Sequence, residues 1–316
     1  MKNFRAFVAA GLIAVFLLVT GRAQNVSAAN VLVPLNQKVL FLGDSITYAG
    51  QYAADIETYF LLRDPASRVQ FINAALPSET VSGLSEPGHA GGKFPRPDLK
   101  ERLDRVLQRV KPGLVFVCYG MNDGIYQPFD GQRFQAFKDG MIRVHEKIAA
   151  TGAKVVHITP PVYDGVTGKN EFYNGVLDRY SQWLLDQRQA AGWSVIDVHG
   201  PMTAFLAEQR KTNANFFFAK DGVHPDDLGH WIMARQILLG LGAAEVAAWP
   251  DPAAFTASHP HGAAILQLVR QRQEMLRDTT LTLTGYKRPG LPAGIPQAEA
   301  DKKSAEIEHQ IEAYRP

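Results

Sequence analysis

The sequence predicts an α/β fold in which a parallel sheet is covered by helices on both faces. Short apolar runs of strand length alternate with longer helical patterns over residues 38–211. Of the 316 residues, 46% are hydrophobic, which is enough to bury one sizeable core. In a sheet of this kind the functional site lies at the carboxyl ends of the strands, so the residues that follow each strand are the candidates for that site.

Five apolar runs have the length and composition of buried strands. They are "KVLFLG" at 38–43, "VQFIN" at 69–73, "GLVFVCYG" at 113–120, "KVVHIT" at 154–159 and "WSVIDV" at 193–198. Helical patterns lie at residues 50–62, 98–110, 132–151, 171–191 and 201–211.

The N-terminal residues 1–29 have the layout of a secretory signal peptide. Lys2 and Arg5 precede an apolar run at residues 6–19, and small residues follow as a cleavage site. A short membrane anchor is the alternative, but this run is shorter than the roughly 20 residues that a spanning helix needs. We therefore expect an exported protein, periplasmic or secreted, that has no membrane association once the signal is removed.

The charge of the chain excludes a nucleic-acid-binding function, and its cysteine content excludes a disulfide. The net charge is +2 and no block of like charge occurs, so the electrostatic footprint of a nucleic-acid-binding protein is absent. Cys118 is the only cysteine and lies within an apolar run, which predicts a buried core thiol and no disulfide.

Three polar segments lie at the ends of predicted strands or in a late loop. They are "GDS" at 43–45, "GMND" at 120–123 and "DGVHP" at 221–225. A serine hydroxyl becomes a nucleophile when a base takes its proton, the base needs an orienting carboxylate, and the resulting oxyanion needs fixed donors. Ser45, Asn122, Asp221 and His224 therefore suit acyl transfer, without any cofactor or metal.

The segments "GDSIT", "GMND" and "DGVHP" resemble the first, third and fifth sequence blocks of the SGNH/GDSL hydrolase superfamily, in the same order and at comparable spacing. The resemblance implies a flavodoxin-like three-layer α/β/α sandwich. It also implies that Ser45 is the nucleophile, His224 the base and Asp221 its orienting partner, with Asn122 as a side-chain donor in the oxyanion hole. The backbone N–H of Ser45 would face the same oxyanion.

Two parts of this assignment have alternatives. The second family block usually has a glycine whose N–H completes the oxyanion hole, and the alignment puts Ser78 at that position. Ser78 could instead be a helix N-cap that opens "SETVSGL". Asp221 and His224 could likewise form an ordinary acidic helix start with a capping histidine, and Pro225 suits the first position of the following helix. Asp44 and Asp123 are interpreted as scaffolding carboxylates that hold turns.

A Gly- and Pro-rich loop at residues 82–97 is the candidate for substrate contacts. It carries Glu86 and His89, and its polar character suits a hydroxylated substrate better than an acyl chain. Tyr126, in the aromatic stretch after Asn122, could stack on a sugar ring or could pack under the loop.

The domain prediction is a catalytic domain at residues 30–245 and a small helical C-terminal extension at residues 246–316. The extension is predicted to contain one amphipathic helix, a short extended piece, a turn and a final charged helix. It is too small for its own core, so we expect it to pack on the catalytic domain or to form a subunit contact. The sequence does not indicate the oligomeric state.

The sequence therefore predicts an exported serine esterase that removes small acyl groups, typically O-acetyl, from a polysaccharide or oligosaccharide. Export and the polar loop favour an acylated carbohydrate as the partner molecule. The alternatives are a lysophospholipase or thioesterase of the same superfamily, and a non-catalytic glycan-binding protein that keeps the fold.

Overall fold

A computed structural model describes residues 37–64, 67 and 69–315, so the predicted signal peptide at residues 1–29 lies outside the described part of the chain. The described chain contains one five-stranded parallel sheet. Its strands are β1 Lys38–Gly43, β2 Gln70–Asn73, β3 Leu114–Cys118, β4 Lys154–Ile158 and β5 Ser194–Ile196. All five predicted strands are confirmed, each within two residues at either end.

The strand order is β2-β1-β3-β4-β5, which is the flavodoxin-like order that the resemblance implied. The central strands are apolar on both faces because helices cover both sides. In β3 all five residues are buried, and in β1 every residue after Lys38 is buried.

Ten α-helices accompany the sheet in the described residues. They are α1 Ser45–Ala49, α2 Gln51–Arg63, α3 Leu103–Val110, α4 Gly131–Ala149, α5 Tyr173–Ala190, α6 His199–Arg210, α7 Asp227–Gly240, α8 Pro252–Ala257, α9 Gly262–Thr284 and α10 Gln297–Tyr314. The chain reverses direction across the sheet after β2, so right-handed crossovers put α2 on one face and α3, α4 and α5 on the other. Helices α6 and α7 join the α2 layer, which completes the predicted three-layer sandwich.

Helices α9 and α10, which lie in the predicted C-terminal extension, pack on the α2 layer. Helix α9 lies against α2 and beside β2, and α10 lies on α9. Their apolar contacts with α2 form a separate cluster of buried residues, which consists of Ala54, Leu61, Ile265, Leu266, Val269, Ile307 and Ile311.

The prediction of an extended piece within the extension is wrong. Helix α9 continues through the threonine-rich stretch "TTLTLT" to Thr284 and ends at Gly285, whose φ is +70°. Threonine has a weak helix propensity, but tertiary packing overrides it here. Thr279 and Leu281 are both buried, and the Thr284 hydroxyl donates to the Thr280 carbonyl at 2.8 Å within the helix.

A buried ion pair fastens the extension to α2. Arg272 of α9 donates to Glu57 of α2 at 2.6 Å, and Gln273 donates to the second carboxylate oxygen at 2.5 Å. Arg272 also pairs with Glu308 of α10. One carboxylate therefore fixes the register of α9 against α2.

Replacing Glu57 by alanine should lower the free energy of unfolding by about 3 kcal/mol, because the buried Arg272 guanidinium loses its α2 partner. Urea unfolding followed by circular dichroism measures this loss. The matched control is Glu208→Ala, which removes an ion pair whose two side chains are each 68% exposed and should change the stability by less than about 0.5 kcal/mol. Equal, small losses in the two variants would contradict the importance of the buried pair.

Candidate active site

Ser45 lies where β1 turns sharply into α1. Gly43 ends the strand, and a Cβ at this position would lie 2.1 Å from Thr47 Oγ1 and 2.9 Å from the Cys118 carbonyl oxygen, so only glycine fits. Asp44 is the N-cap of α1, and its Oδ1 accepts a hydrogen bond from the Ile46 N–H at 3.0 Å. Ser45 is therefore the first residue of α1, at the carboxyl end of a central strand.

The structure brings Ser45, His224 and Asp221 together in one hydrogen-bonded line. His224 Nε2 lies 2.8 Å from Ser45 Oγ, and His224 Nδ1 lies 2.6 Å from Asp221 Oδ2. With a proton on Nδ1 donated to the carboxylate, Nε2 can accept the serine proton. The two predicted neighbours of the serine are thus placed in the order that the resemblance implied.

The loop that carries Asp221 and His224 is shaped by Asp221 itself. Its Oδ1 accepts hydrogen bonds from the N–H groups of Val223 and His224, both at 2.9 Å, while Oδ2 faces the imidazole. Gly222 has a φ of +79°, and a Cβ there would lie 2.5 Å from Gly168 Cα. One carboxylate therefore folds the turn and also orients the histidine.

The alternative of an acidic helix start at this loop is wrong, and so is the placement of Pro225 at the first helical position. Helix α7 begins at Asp227, and its N-cap is Asp226, whose side chain accepts from the Gly229 N–H at 3.0 Å. The stronger capping residue after Pro225 moves the start of the helix beyond the loop.

The ionisation of Asp221 is favoured by its partners. Burial alone would raise the pKa of the Asp221 carboxyl group, but hydrogen bonds from His224 and from the turn N–H groups lower it below the ordinary value. The side chains of Asp221 and His224 are 55% and 51% exposed, so this half of the site is open.

Asn122 follows β3, and its carboxamide is held at both ends. Nδ2 donates to the Glu79 carbonyl at 3.2 Å, and Oδ1 accepts from the Tyr126 hydroxyl at 3.2 Å. Ile125 and Tyr126 have φ values of 47° and 56°, so the chain folds back and brings Tyr126 to Asn122. The carboxamide orientation leaves one N–H of Nδ2 for another acceptor.

Ser78 has the backbone conformation that glycine adopts freely. Its φ is +69°, in the left-handed region, and the peptide lies in a turn rather than at the start of a helix. The N-cap alternative is therefore wrong. The neighbouring loop is tied to β1, since the Leu76 N–H donates to the Gly43 carbonyl at 3.0 Å.

A buried charge cluster that the sequence did not indicate lies behind this loop. Arg102 donates to both oxygens of Glu79 at 2.6 and 2.7 Å, and the Tyr119 hydroxyl donates to Glu79 Oε2 at 2.5 Å. All three side chains are fully buried. The cluster anchors the residue that directly follows Ser78 and whose carbonyl orients Asn122.

The loop at residues 82–97 brings the three predicted substrate contacts together through Arg96. Arg96 donates to both oxygens of Glu86 at 2.7 Å, and its guanidinium lies 5.3 Å from the centre of the Tyr126 ring. His89 Nδ1 lies 3.2 Å from Glu86 Oε1. Arg96 also approaches the Ser78 carbonyl at 3.5 Å. Glu86, His89 and Tyr126 are thus gathered around Arg96 near Ser78, and their contact with substrate stays a prediction.

Tyr126 also packs under the loop, as the alternative interpretation had it. Its ring stacks on Tyr173 with the ring centroids 4.7 Å apart. The ring is therefore fixed, while the hydroxyl reaches Asn122.

The two scaffolding carboxylates hold turns next to the site. Asp123 Oδ1 accepts from the N–H groups of Val81 and Ser82, both at 2.9 Å. Burial raises the pKa of Asp44 to about 7 and that of Asp123 to about 6. Their hydrogen bonds to backbone N–H groups oppose these shifts.

Neither a metal cluster nor a membrane span is found in the described part of the chain. No group of three or more His, Cys, Asp or Glu residues there is placed to hold a metal ion. Among the described helices, none is long and apolar enough to cross a membrane.

Known proteins resemble the chain in both sequence and fold. A model of the GDSL-like lipase/acylhydrolase family matches residues 41–232. An acetylxylan esterase from Geobacillus stearothermophilus is 26% identical over 218 residues, which are 65% of this chain and 94% of that protein.

Two solved structures show the same fold at lower identity. A gut microbial diltiazem-metabolizing enzyme has a TM-score of 0.56 at 22% identity, with 66% of this chain covered, and the chain spans only 47% of that larger protein. A catalytic mutant of an acetylxylan esterase from Geobacillus stearothermophilus has a TM-score of 0.52 at 20% identity, with 65% of this chain and 94% of that chain covered.

The family match extends over well more than half of the chain and includes every residue of the hydrogen-bonded line at Ser45. The chain therefore belongs to the GDSL-like lipase/acylhydrolase family, the SGNH hydrolases, and is a carboxylic ester hydrolase.

Proposed function

We propose that this protein is an exported serine esterase that removes O-acetyl groups from a polysaccharide or oligosaccharide through an acyl-enzyme. The observation that carries the proposal is the line Ser45 Oγ, His224 Nε2, His224 Nδ1 and Asp221 Oδ2, with its two hydrogen bonds of 2.8 and 2.6 Å. Such a line converts a weak hydroxyl into a nucleophile.

In the acylation step, Ser45 Oγ attacks the ester carbonyl carbon while its proton passes to His224 Nε2. The tetrahedral intermediate collapses when the C–O bond to the sugar breaks and the imidazolium returns its proton to the departing sugar oxygen. A water molecule then repeats the sequence on the acyl-enzyme, with His224 again as the base, and releases acetate and free Ser45. Asp221 stabilises the imidazolium in both halves of the reaction.

The oxyanion of each intermediate is assigned three donors: the backbone N–H groups of Ser45 and Ser78, and the free N–H of Asn122 Nδ2. The positive φ of Ser78 supports this role, because the matching family position is a glycine. Donors that are fixed before the reaction need no reorganisation when charge develops on the oxygen. We assign Ser78 a backbone role and no role for its hydroxyl.

Three observations support a carbohydrate ester as the substrate. An acetylxylan esterase is among the relatives, the group of Glu86, His89 and Tyr126 around Arg96 is polar and aromatic, and the Asp221 and His224 side chains are more than half exposed. An open, polar site suits a sugar chain that extends beyond the reacting ester. Export rests on the sequence pattern of residues 1–29, and the division at residue 245 rests on the point where the strand–helix alternation of the sequence ends.

The purified protein should release acetate from acetylated xylan and little fatty acid from a lysophospholipid. Acetate is measured enzymatically and fatty acid by chromatography, with the Ser45→Ala variant as the blank for both. Release of fatty acid alone would favour the lysophospholipase alternative. Binding of acetylated xylan with neither product would favour a glycan-binding protein.

Ser45→Ala and His224→Ala should each lower kcat by a factor of at least about 10³, and Asp221→Asn should lower it somewhat less, because these residues act as one unit. A fluorophosphonate should label the native protein at Ser45, as mass spectrometry of its peptides will show. The matched control is Ser82→Ala, which removes a nearby loop hydroxyl and should retain full labelling and activity. Labelling at Ser78 or Ser82 would overturn the assignment of the nucleophile.

Asn122→Ala should lower kcat about a hundredfold with little change in KM, because its amide is used mainly in the transition state. Ser78→Gly should be nearly neutral, since glycine adopts the same φ and keeps the N–H. Steady-state kinetics with 4-nitrophenyl acetate measure both effects. Slower chemistry in both Ser78→Gly and Ser78→Ala would instead make the serine hydroxyl a donor.

A further inference from the structure

The C-terminal extension reaches back to the edge of the site from outside the family match, which ends at residue 232. Its contact there is made by Arg288, which lies in the segment 285–296 between α9 and α10. Arg288 Nε donates to the Pro77 carbonyl oxygen at 3.2 Å, and its guanidinium lies 5.3 Å from the centre of the Phe94 ring. Pro77 directly precedes Ser78.

The Pro77 carbonyl and the Ser78 N–H belong to one peptide group. That group is planar and trans, since the described chain contains no cis peptide bonds, so its C=O and N–H point in opposite directions. A donor that fixes the carbonyl therefore fixes the direction of the N–H as well. A charged donor on the carbonyl also polarises the peptide and strengthens the N–H as a hydrogen-bond donor.

This peptide needs external support because of the conformation of Ser78. A residue other than glycine at φ +69° is held there only when its surroundings impose that conformation. Arg96 approaches the Ser78 carbonyl from the substrate-side loop, and Arg288 holds the preceding carbonyl from the extension. The two arginines therefore contact the carbonyl oxygens of the peptide groups on both sides of the Ser78 Cα.

The segment that presents Arg288 is itself fastened at both ends. At its start, Arg105 of α3 donates to the carbonyls of Thr284 and Gly285 at 2.6 and 3.2 Å. Near its end, the Gly294 N–H donates to Thr282 Oγ1 at 2.8 Å, and a Cβ on Gly294 would lie only 2.3 Å from the Thr279 backbone.

Helix α9 also contacts helix α1, which begins at Ser45. Arg277 of α9 donates to the Tyr48 carbonyl at 2.9 Å and lies 3.8 Å from the centre of the Tyr48 ring. Tyr48 lies in the five-residue helix α1 that begins at Ser45. This contact sets the end of α9 against α1, and so brings Arg288 to the neighbouring loop.

From these contacts we propose that Arg288 is a positioning residue of the oxyanion hole, which acts by holding and polarising the Pro77–Ser78 peptide. The inference rests on the proposed function, since it assumes that the Ser78 N–H faces the oxyanion. It makes the extension a working part of the site in addition to its packing role.

The test replaces Arg288 by methionine, which removes the donors and keeps an unbranched side chain against Phe94. We expect kcat for 4-nitrophenyl acetate to fall by about 10- to 30-fold, with KM within twofold and full titration of Ser45 by a fluorophosphonate. Arg288→Lys, which keeps a charged donor group, should bring kcat back to within about threefold of the wild type. In a Ser78→Gly background, where the backbone is freer, Arg288→Met should lower kcat by a factor at least about threefold larger than it does in the wild-type background.

The matched control is Arg109→Met, because Arg109 also links the catalytic domain to the extension, at Gln297 and 2.8 Å, but makes no contact with the loop of Ser78. Its kcat should stay within twofold. A normal kcat in Arg288→Met, or an equal loss in Arg109→Met, would overturn the proposal while the enzyme remains an esterase. A wild type that neither hydrolyses the ester nor reacts at Ser45 would instead refute the proposed function, and the role of Arg288 with it.

Discussion

The site depends on β1 lying between β2 and β3, at the point where the strand order reverses. Ser45 follows β1, the loop of Ser78 follows β2, and Asn122 follows β3, so the two neighbouring strands place the two proposed donors on either side of the serine. His224 is 179 residues away from Ser45 along the chain, and it reaches the hydroxyl because the loop before α7 ends at the same edge. The constellation is therefore a property of strand order, and no local segment could assemble it.

Buried charges hold the donor side of the site in place. Two carboxylates, Glu79 and Glu86, each take two hydrogen bonds from one arginine, and the Glu79 pair with Arg102 is fully buried. Such pairs contribute little net stability, because desolvation offsets most of their attraction. Their effect is geometric: bidentate pairing fixes both planes, and with them the loop that carries Ser78 and the carbonyl that orients Asn122.

Much of this arrangement could be predicted from the sequence. The features that could not be predicted depend on contacts between distant parts of the chain or on backbone conformation. Ser45, Asn122, Asp221 and His224 were accessible because each sits in a short segment next to a strand end or a turn. The left-handed conformation of Ser78 could not be predicted, because the residue type serine does not indicate it. The contact of Arg288 with Pro77 could not be predicted either, because the two residues are 211 positions apart in the chain. The threonine-rich end of α9 was misassigned because weak local propensity was set against packing that only the tertiary structure supplies.

The two halves of the proposed site differ in burial, and their proposed chemistry accounts for the difference. Oxyanion donors that are fixed before charge develops need no reorganisation, and the proposed donors here lie on loops anchored by buried charges. In the proposed mechanism, His224 exchanges protons with the serine, the leaving alcohol and water in turn. Its side chain is half exposed on a turn that Asp221 holds by its own hydrogen bonds. Water can therefore reach His224 for deacylation without loosening the donors. An extension that braces the donor side and leaves the histidine side open preserves both requirements.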